Sequence, residues 1–191
     1  MSSTAWLDAV NPVRPGFHPD PTICRVDGVD GTWFYLVTST FEYLPGLPVH
    51  RSRDLVHWEL VGHALDRPGQ VDLSTVGDSG GLFAPTLRHD GERFLLVCTV
   101  VGGPPGASGN FVITATDAAG PWSDPVWWPE GGIDPSILVD GDRLWAHGTR
   151  LVADPAWEQQ TEVWVRELDP RTLVPFGPES VVWTGALHGA I

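Results

Sequence analysis

From residue 17 onward the chain is a succession of short runs in which apolar or aromatic positions alternate with polar ones, each bounded by Gly, Pro or Asp. That pattern predicts short β-strands joined by tight turns. No window keeps a 3.6-residue apolar period through three turns, so an all-β fold is expected. The first group of strands covers residues 23–26, 33–39, 49–52 and 57–61, with a Pro/Gly loop at 44–48. A second group follows at 86–89, 94–97, 111–115 and 122–126, and a third at 136–138, 144–146, 161–165 and 180–183. Each group supplies four antiparallel strands.

The groups begin alike. Asp20-Pro21-Thr22-Ile23 returns as Ala84-Pro85-Thr86-Leu87 and again as Asp134-Pro135-Ser136-Ile137, at separations of 64 and then 50 positions. Each copy is followed by an Asp-Gly turn (Asp27-Gly28 or Asp30-Gly31, Asp90-Gly91, Asp140-Gly141) and then by an apolar run. A supersecondary unit recurring about every fifty residues is the spacing of propeller blades, none of which can bury its apolar face alone. Residues 1–16 read as a lead-in, in which Pro12 and Pro15 prevent regular structure. Residues 17–191 then read as a partial propeller domain with blades at about 17–64, 82–128 and 132–184. Trp58, Trp122 and Trp183 fall at corresponding places and are assigned to packing between sheets.

Composition narrows the partners. Eleven Arg, no Lys and 24 acidic residues give a formal charge of −13, which repels nucleic acid and anionic membrane surfaces and suits a neutral ligand. Cys24 and Cys98 both lie in apolar runs and are expected as buried thiols. With no basic cluster and apolar stretch at the amino terminus, a cytoplasmic location is the expectation. The histidines are scattered, so no metal or cofactor is expected, and His50, His57, His63, His89, His147 and His188 read as surface or satisfied polar residues.

Asp20 and Asp134 occupy one position in two repeats. In a propeller, equivalent positions on innermost strands face one channel, so two carboxylates distant in sequence would converge on one cavity. Paired carboxylates around a pocket are the equipment of glycoside hydrolysis. For a lone Asp-Pro the plainer reading is a strand-opening turn; repetition at matching positions favours chemistry.

The motifs Asn11-Pro12-Val13, Phe17-His18-Pro19-Asp20-Pro21, Ser39-Thr40-Phe41-Glu42-Tyr43, Ser52-Arg53-Asp54-Leu55-Val56-His57-Trp58, Ser79-Gly80-Gly81-Leu82-Phe83-Ala84-Pro85 and Gly132-Ile133-Asp134-Pro135-Ser136, in that order, resemble glycoside hydrolase family 43. Its β-xylosidases and α-L-arabinofuranosidases are the nearest in appearance. The resemblance implies a five-bladed β-propeller, of which about three blades are present here, with an inverting active site in its central depression. Asp20 would be the general base, and Asp134 the second Asp, which raises the pKa of the general acid. Phe41 and Phe83 would line the sugar pocket, and His18 would stand beside the substrate. Arg150, after a third-blade strand, is a further candidate for the channel rim.

The family's general acid is a Glu in a Glu-Gly-Pro-His-like motif, which the run ending at His188-Gly189-Ala190-Ile191 approaches without reaching. The resemblance therefore implies an amino-terminal part of a hydrolase, inactive alone, with Glu162 and Glu179 poor substitutes on outer strands. The alternatives are a non-catalytic propeller fragment that binds pentose oligosaccharides, and association with another chain through exposed blade edges.

Overall fold

In a computed structural model the described residues are 9–185, and among them there is no helix. Thirteen strands form three antiparallel sheets. The first sheet is β1 (Thr22–Gly28), β2 (Gly31–Val37), β3 (Gly46–Ser52) and β4 (Glu59–Leu65), paired in chain order. The second holds β5 (Gly81–Leu82), β6 (Thr86–His89), β7 (Phe94–Val101), β8 (Gly109–Ala115) and β9 (Val126–Trp127). The third is β10 (Ile133–Asp140), β11 (Arg143–Leu151), β12 (Thr161–Leu168) and β13 (Pro175–Trp183), again in chain order. These are three successive blades of a propeller of the five-bladed type.

The middle blade reads differently from its neighbours because both of its faces are covered. β7 is apolar at nearly every position: Phe94, Leu96, Cys98 and Val100 join a core shared with the first blade, while Leu95 and Val97 join one shared with the third. β8 divides in the same way, Phe111 and Ile113 to one side and Val112 to the other. Period-2 geometry sends alternate side chains to opposite faces, so a strand buried on both sides loses its polar alternation. Phe111 and Trp164 are wholly buried, and side chains of that size each contribute about 2–3 kcal/mol by leaving water.

The first strands of the three blades lie side by side. β6 packs against β1 and also against β10, and the Leu87 amide donates to Thr22 Oγ1 at 3.2 Å. The inner edge of the middle blade is interrupted: β5 and β6 pair with opposite ends of β7, and Phe83, Ala84 and Pro85 form the break between them.

Three expectations need correction. The loop at 44–48 is shorter than expected, since β3 begins at Gly46 and Leu47 is fully buried. Of residues 122–126 only Val126 is in a strand, because Ser123 bonds to Thr114 in place of a regular ladder. Trp122 is buried as expected, but Trp183 is 50% exposed, and Trp58 is only half-buried. Trp183 sits on the outer face of the third blade, where none of the described sheets covers it.

Candidate active site

Asp20 and Asp134 share an uncommon backbone. Their φ values are +51° and +53°, a left-handed conformation that Asp tolerates better than most residues and that costs energy wherever it is imposed. Each precedes a proline at the head of its blade. The kink at Asp134 falls where the β10–β11 register shifts, between Ile133 and Ser136. Two residues earlier Gly132 has φ +105°, and a Cβ there would stand 2.1 Å from the Thr149 carbonyl oxygen. Only glycine fits that crossing.

Asp20 is fixed from the end of β2. The Ser39 amide donates to the Pro19 carbonyl at 3.1 Å, and Ser39 Oγ donates to Asp20 Oδ2 at 2.6 Å. Ser39 is itself buried, and the longer alternative for its hydroxyl is the Pro19 carbonyl at 3.4 Å. Oδ1 has no partner among the described residues.

The two carboxylates sense each other. Asp134 is exposed, yet its pKa is raised above the usual range, first by partial removal from water and then by the negative charge of Asp20. Cys98, fully buried on β7, has its thiol pushed far up by burial, with smaller contributions from Asp134 and Asp20. The strands entered at these two residues, β1 and β10, both pack against β6 of the middle blade.

An aromatic wall adjoins them. Phe41 has φ +50° and lies in a two-way bridge between blades: its amide donates to the Leu82 carbonyl at 3.0 Å, and the Leu82 amide returns the bond at 2.9 Å. Phe83 meets Phe41 edge-on, with ring centroids 5.7 Å apart, and its carbonyl accepts the Cys98 thiol at 3.2 Å. Phe17 extends the wall, 5.9 Å from Phe41 and 64% exposed. In the sequence Phe17 stands out only as part of a motif; the signal for its role is an apolar ring three residues before a candidate base.

Other candidates are placed elsewhere. The His18 ring packs edge-on against His50 with centroids 6.1 Å apart and lines a cavity with residues of the lead-in. His50, expected at the surface or satisfied, is only 3% exposed, and its Nδ1 lacks a partner. Its position opposite Leu36 in the β2–β3 ladder explains the burial. Arg150 is held by Glu162 at 2.8 Å and by Glu179, so all three are committed to one ion cluster on the third blade. His188 lies outside the described residues. Both cysteines are free and buried, and no group of three His, Cys, Asp or Glu among the described residues is arranged to hold a metal.

Comparison with known proteins identifies the family. The family model for glycosyl hydrolases family 43 matches residues 9–190. A xylosidase/arabinosidase of Butyrivibrio fibrisolvens is 44% identical over 189 residues, covering 96% of this chain and 35% of the relative. The non-reducing end alpha-L-arabinofuranosidase BoGH43B of Bacteroides ovatus is 54% identical over 133 residues, 69% of this chain and 24% of that protein. Among solved structures, xylan beta-1,4-xylosidase from Bacillus halodurans superposes with a TM-score of 0.82 at 36% identity, covering 93% of this chain and 34% of that one. The chain belongs to glycosyl hydrolases family 43. It spans about a third of the length of these relatives.

Proposed function

We propose that this chain supplies the general base and its companion Asp to an inverting glycosidase acting on xylo- or arabino-oligosaccharides, a β-xyloside being the preferred substrate. The observation that carries the reading is the pair of left-handed Asp residues, matched in position on two blades and near enough that the charge of Asp20 lifts the pKa of Asp134. In this reading Ser39 holds Asp20 Oδ2 and leaves Oδ1 to take a proton from water. The water oxygen bonds to the anomeric carbon as the glycosidic C–O bond breaks on the opposite face. Phe41 and Phe83 offer ring surface to the apolar side of a pentose. His18 takes no part, because its ring faces another cavity.

The leaving oxygen also needs a proton, and Glu162 and Glu179 are occupied by Arg150. General acid catalysis contributes on the order of 10²–10⁴-fold, so the 191-residue chain alone is expected to bind but not to turn over. Calorimetry with xylobiose, alongside incubation with an aryl β-xyloside, tests this. Saturable binding that Phe41→Ala weakens, without turnover, is the expected result. No binding would remove the sugar site, and robust hydrolysis would contradict the assignment of roles.

A further inference from the structure

The face that the middle blade turns to the third is apolar through Leu95 and Val97 on β7 and Val112 on β8. Alternation carries the same face on to Thr99 and Asn110, a directly opposed pair in the β7–β8 ladder. Both are polar, yet they are only 1% and 0% exposed. Apolar residues of the same shape would hold the sheet as well there, so the polar pair points to a task other than packing.

That task shows in the bonds. Thr99 Oγ1 donates to Asn110 Oδ1 at 2.7 Å, and Asn110 Nδ2 donates to the Glu130 carbonyl at 3.2 Å. A carbonyl only accepts, so the Asn110 amide must turn its nitrogen to Glu130 and leave its oxygen for the Thr99 hydroxyl. The main chain of the pair is used as well: the Phe83 amide donates to the Thr99 carbonyl at 3.0 Å, and the Trp128 amide to the Asn110 carbonyl at 2.8 Å. Phe83 of the aromatic wall and the segment leading to Asp134 therefore hang on one buried cross-strand pair.

Between Glu130 and Asp134 stand Gly131, Gly132 and Ile133. Two consecutive glycines leave a segment loose unless both of its ends are held. Gly132 is held at its crossing with Thr149. Glu130 is held by Asn110 and by the ion pair of its carboxylate with Arg166 on β12.

We propose that Asn110, oriented by Thr99, is the positioning residue that sets Asp134 against Asp20 and Phe83. It touches no substrate and acts through the Glu130 carbonyl. The inference deepens the reading of Asp20 and Asp134 as one sugar site and rests on it.

Asp134 is titrated by carboxyl-carbon NMR, with and without Asp20→Asn, in the unaltered chain, in Asn110→Ala and in Thr99→Val, which keeps the shape of threonine and removes its hydroxyl. Xylobiose calorimetry and urea unfolding accompany each titration. Gln70→Leu is the control, since Gln70 is also buried and holds the Ala64 and Ser123 carbonyls from the loop after β4. In Asn110→Ala and Thr99→Val, Asp134 should titrate lower and respond less to Asp20→Asn, and xylobiose affinity should fall about tenfold. Thr99→Ser should restore both, whereas Gln70→Leu should lose stability without either change. Should Asn110→Ala fail to fold, Thr99→Val decides. An Asp134 titration unchanged in these variants, or changed equally in Gln70→Leu, overturns the proposal. Failure of the sugar reading looks different: the unaltered chain then binds no xylobiose, while the Asp134 titration still reports whether Asn110 places that carboxylate.

Discussion

Replacing Gly81 by alanine is expected to open the joint that holds the aromatic wall together. Gly81 has φ +87°, and a Cβ would stand 2.4 Å from the Phe41 carbonyl oxygen and 2.7 Å from its carbon. Those atoms are backbone, so they cannot rotate away. The bridge itself must separate, weakening the Phe41 to Leu82 bond at 3.0 Å and its return at 2.9 Å. An alanine forced to positive φ costs about 1–2 kcal/mol, and two weakened hydrogen bonds add about 1 kcal/mol each. The loss is therefore about 3–4 kcal/mol. Gly91 is the control: its φ is +102°, with nothing within 4 Å of a Cβ, so Gly91→Ala should lose only the backbone cost of about 1–2 kcal/mol. Urea unfolding followed by Trp fluorescence measures both. A difference of about 2 kcal/mol is predicted, together with weaker xylobiose binding in Gly81→Ala alone. Equal losses in the two variants would refute the idea that the inter-blade bridge bears this load.

Two further outcomes follow from buried groups. The pKa of His50 is lowered from 6.5 to about 4, chiefly by burial and then by Arg14, His18 and His63. The unfolded chain thus binds the extra proton first, and stability is full above pH 6.5 and lost as pH falls toward 4. The shift corresponds to about 2 kcal/mol between pH 7 and pH 5. His50→Gln should flatten urea unfolding curves across that window, and an unchanged pH dependence would count against the burial argument. Cys98 is fully buried with its thiol pKa raised by burial, so an aromatic disulfide reagent should label it only at the rate of unfolding. Labelling faster than urea-extrapolated opening would mean that the inner end of the middle blade is accessible.

Much of the fold was legible because a doubled alternation survives in the outer blades and the Asp-Pro echo marks each beginning. Strand limits were less so. Gly46 and Pro48 read as loop, yet both lie in β3, where pairing with Leu65 and His63 overrides local propensity. Trp122 and Trp183 look equivalent in sequence, but one is buried and the other half exposed, since burial depends on which sheet lies opposite. The carboxylates could be found from repetition alone. Their left-handed backbone, the Ser39 clasp and the edge-on packing of Phe83 on Phe41 depend on contacts across blades, which no local pattern encodes. The misplacement of His18 has the same origin: adjacency to Asp20 in sequence says nothing about which side of the first blade its ring takes.

The most direct measurement is the titration of Asp134 by carboxyl-carbon NMR in the unaltered chain and in Asp20→Asn. Removing the charge of residue 20 should lower the Asp134 pKa toward the ordinary carboxylate range, while the part due to burial remains. An Asp134 titration indifferent to residue 20 would mean that the two side chains do not share a site.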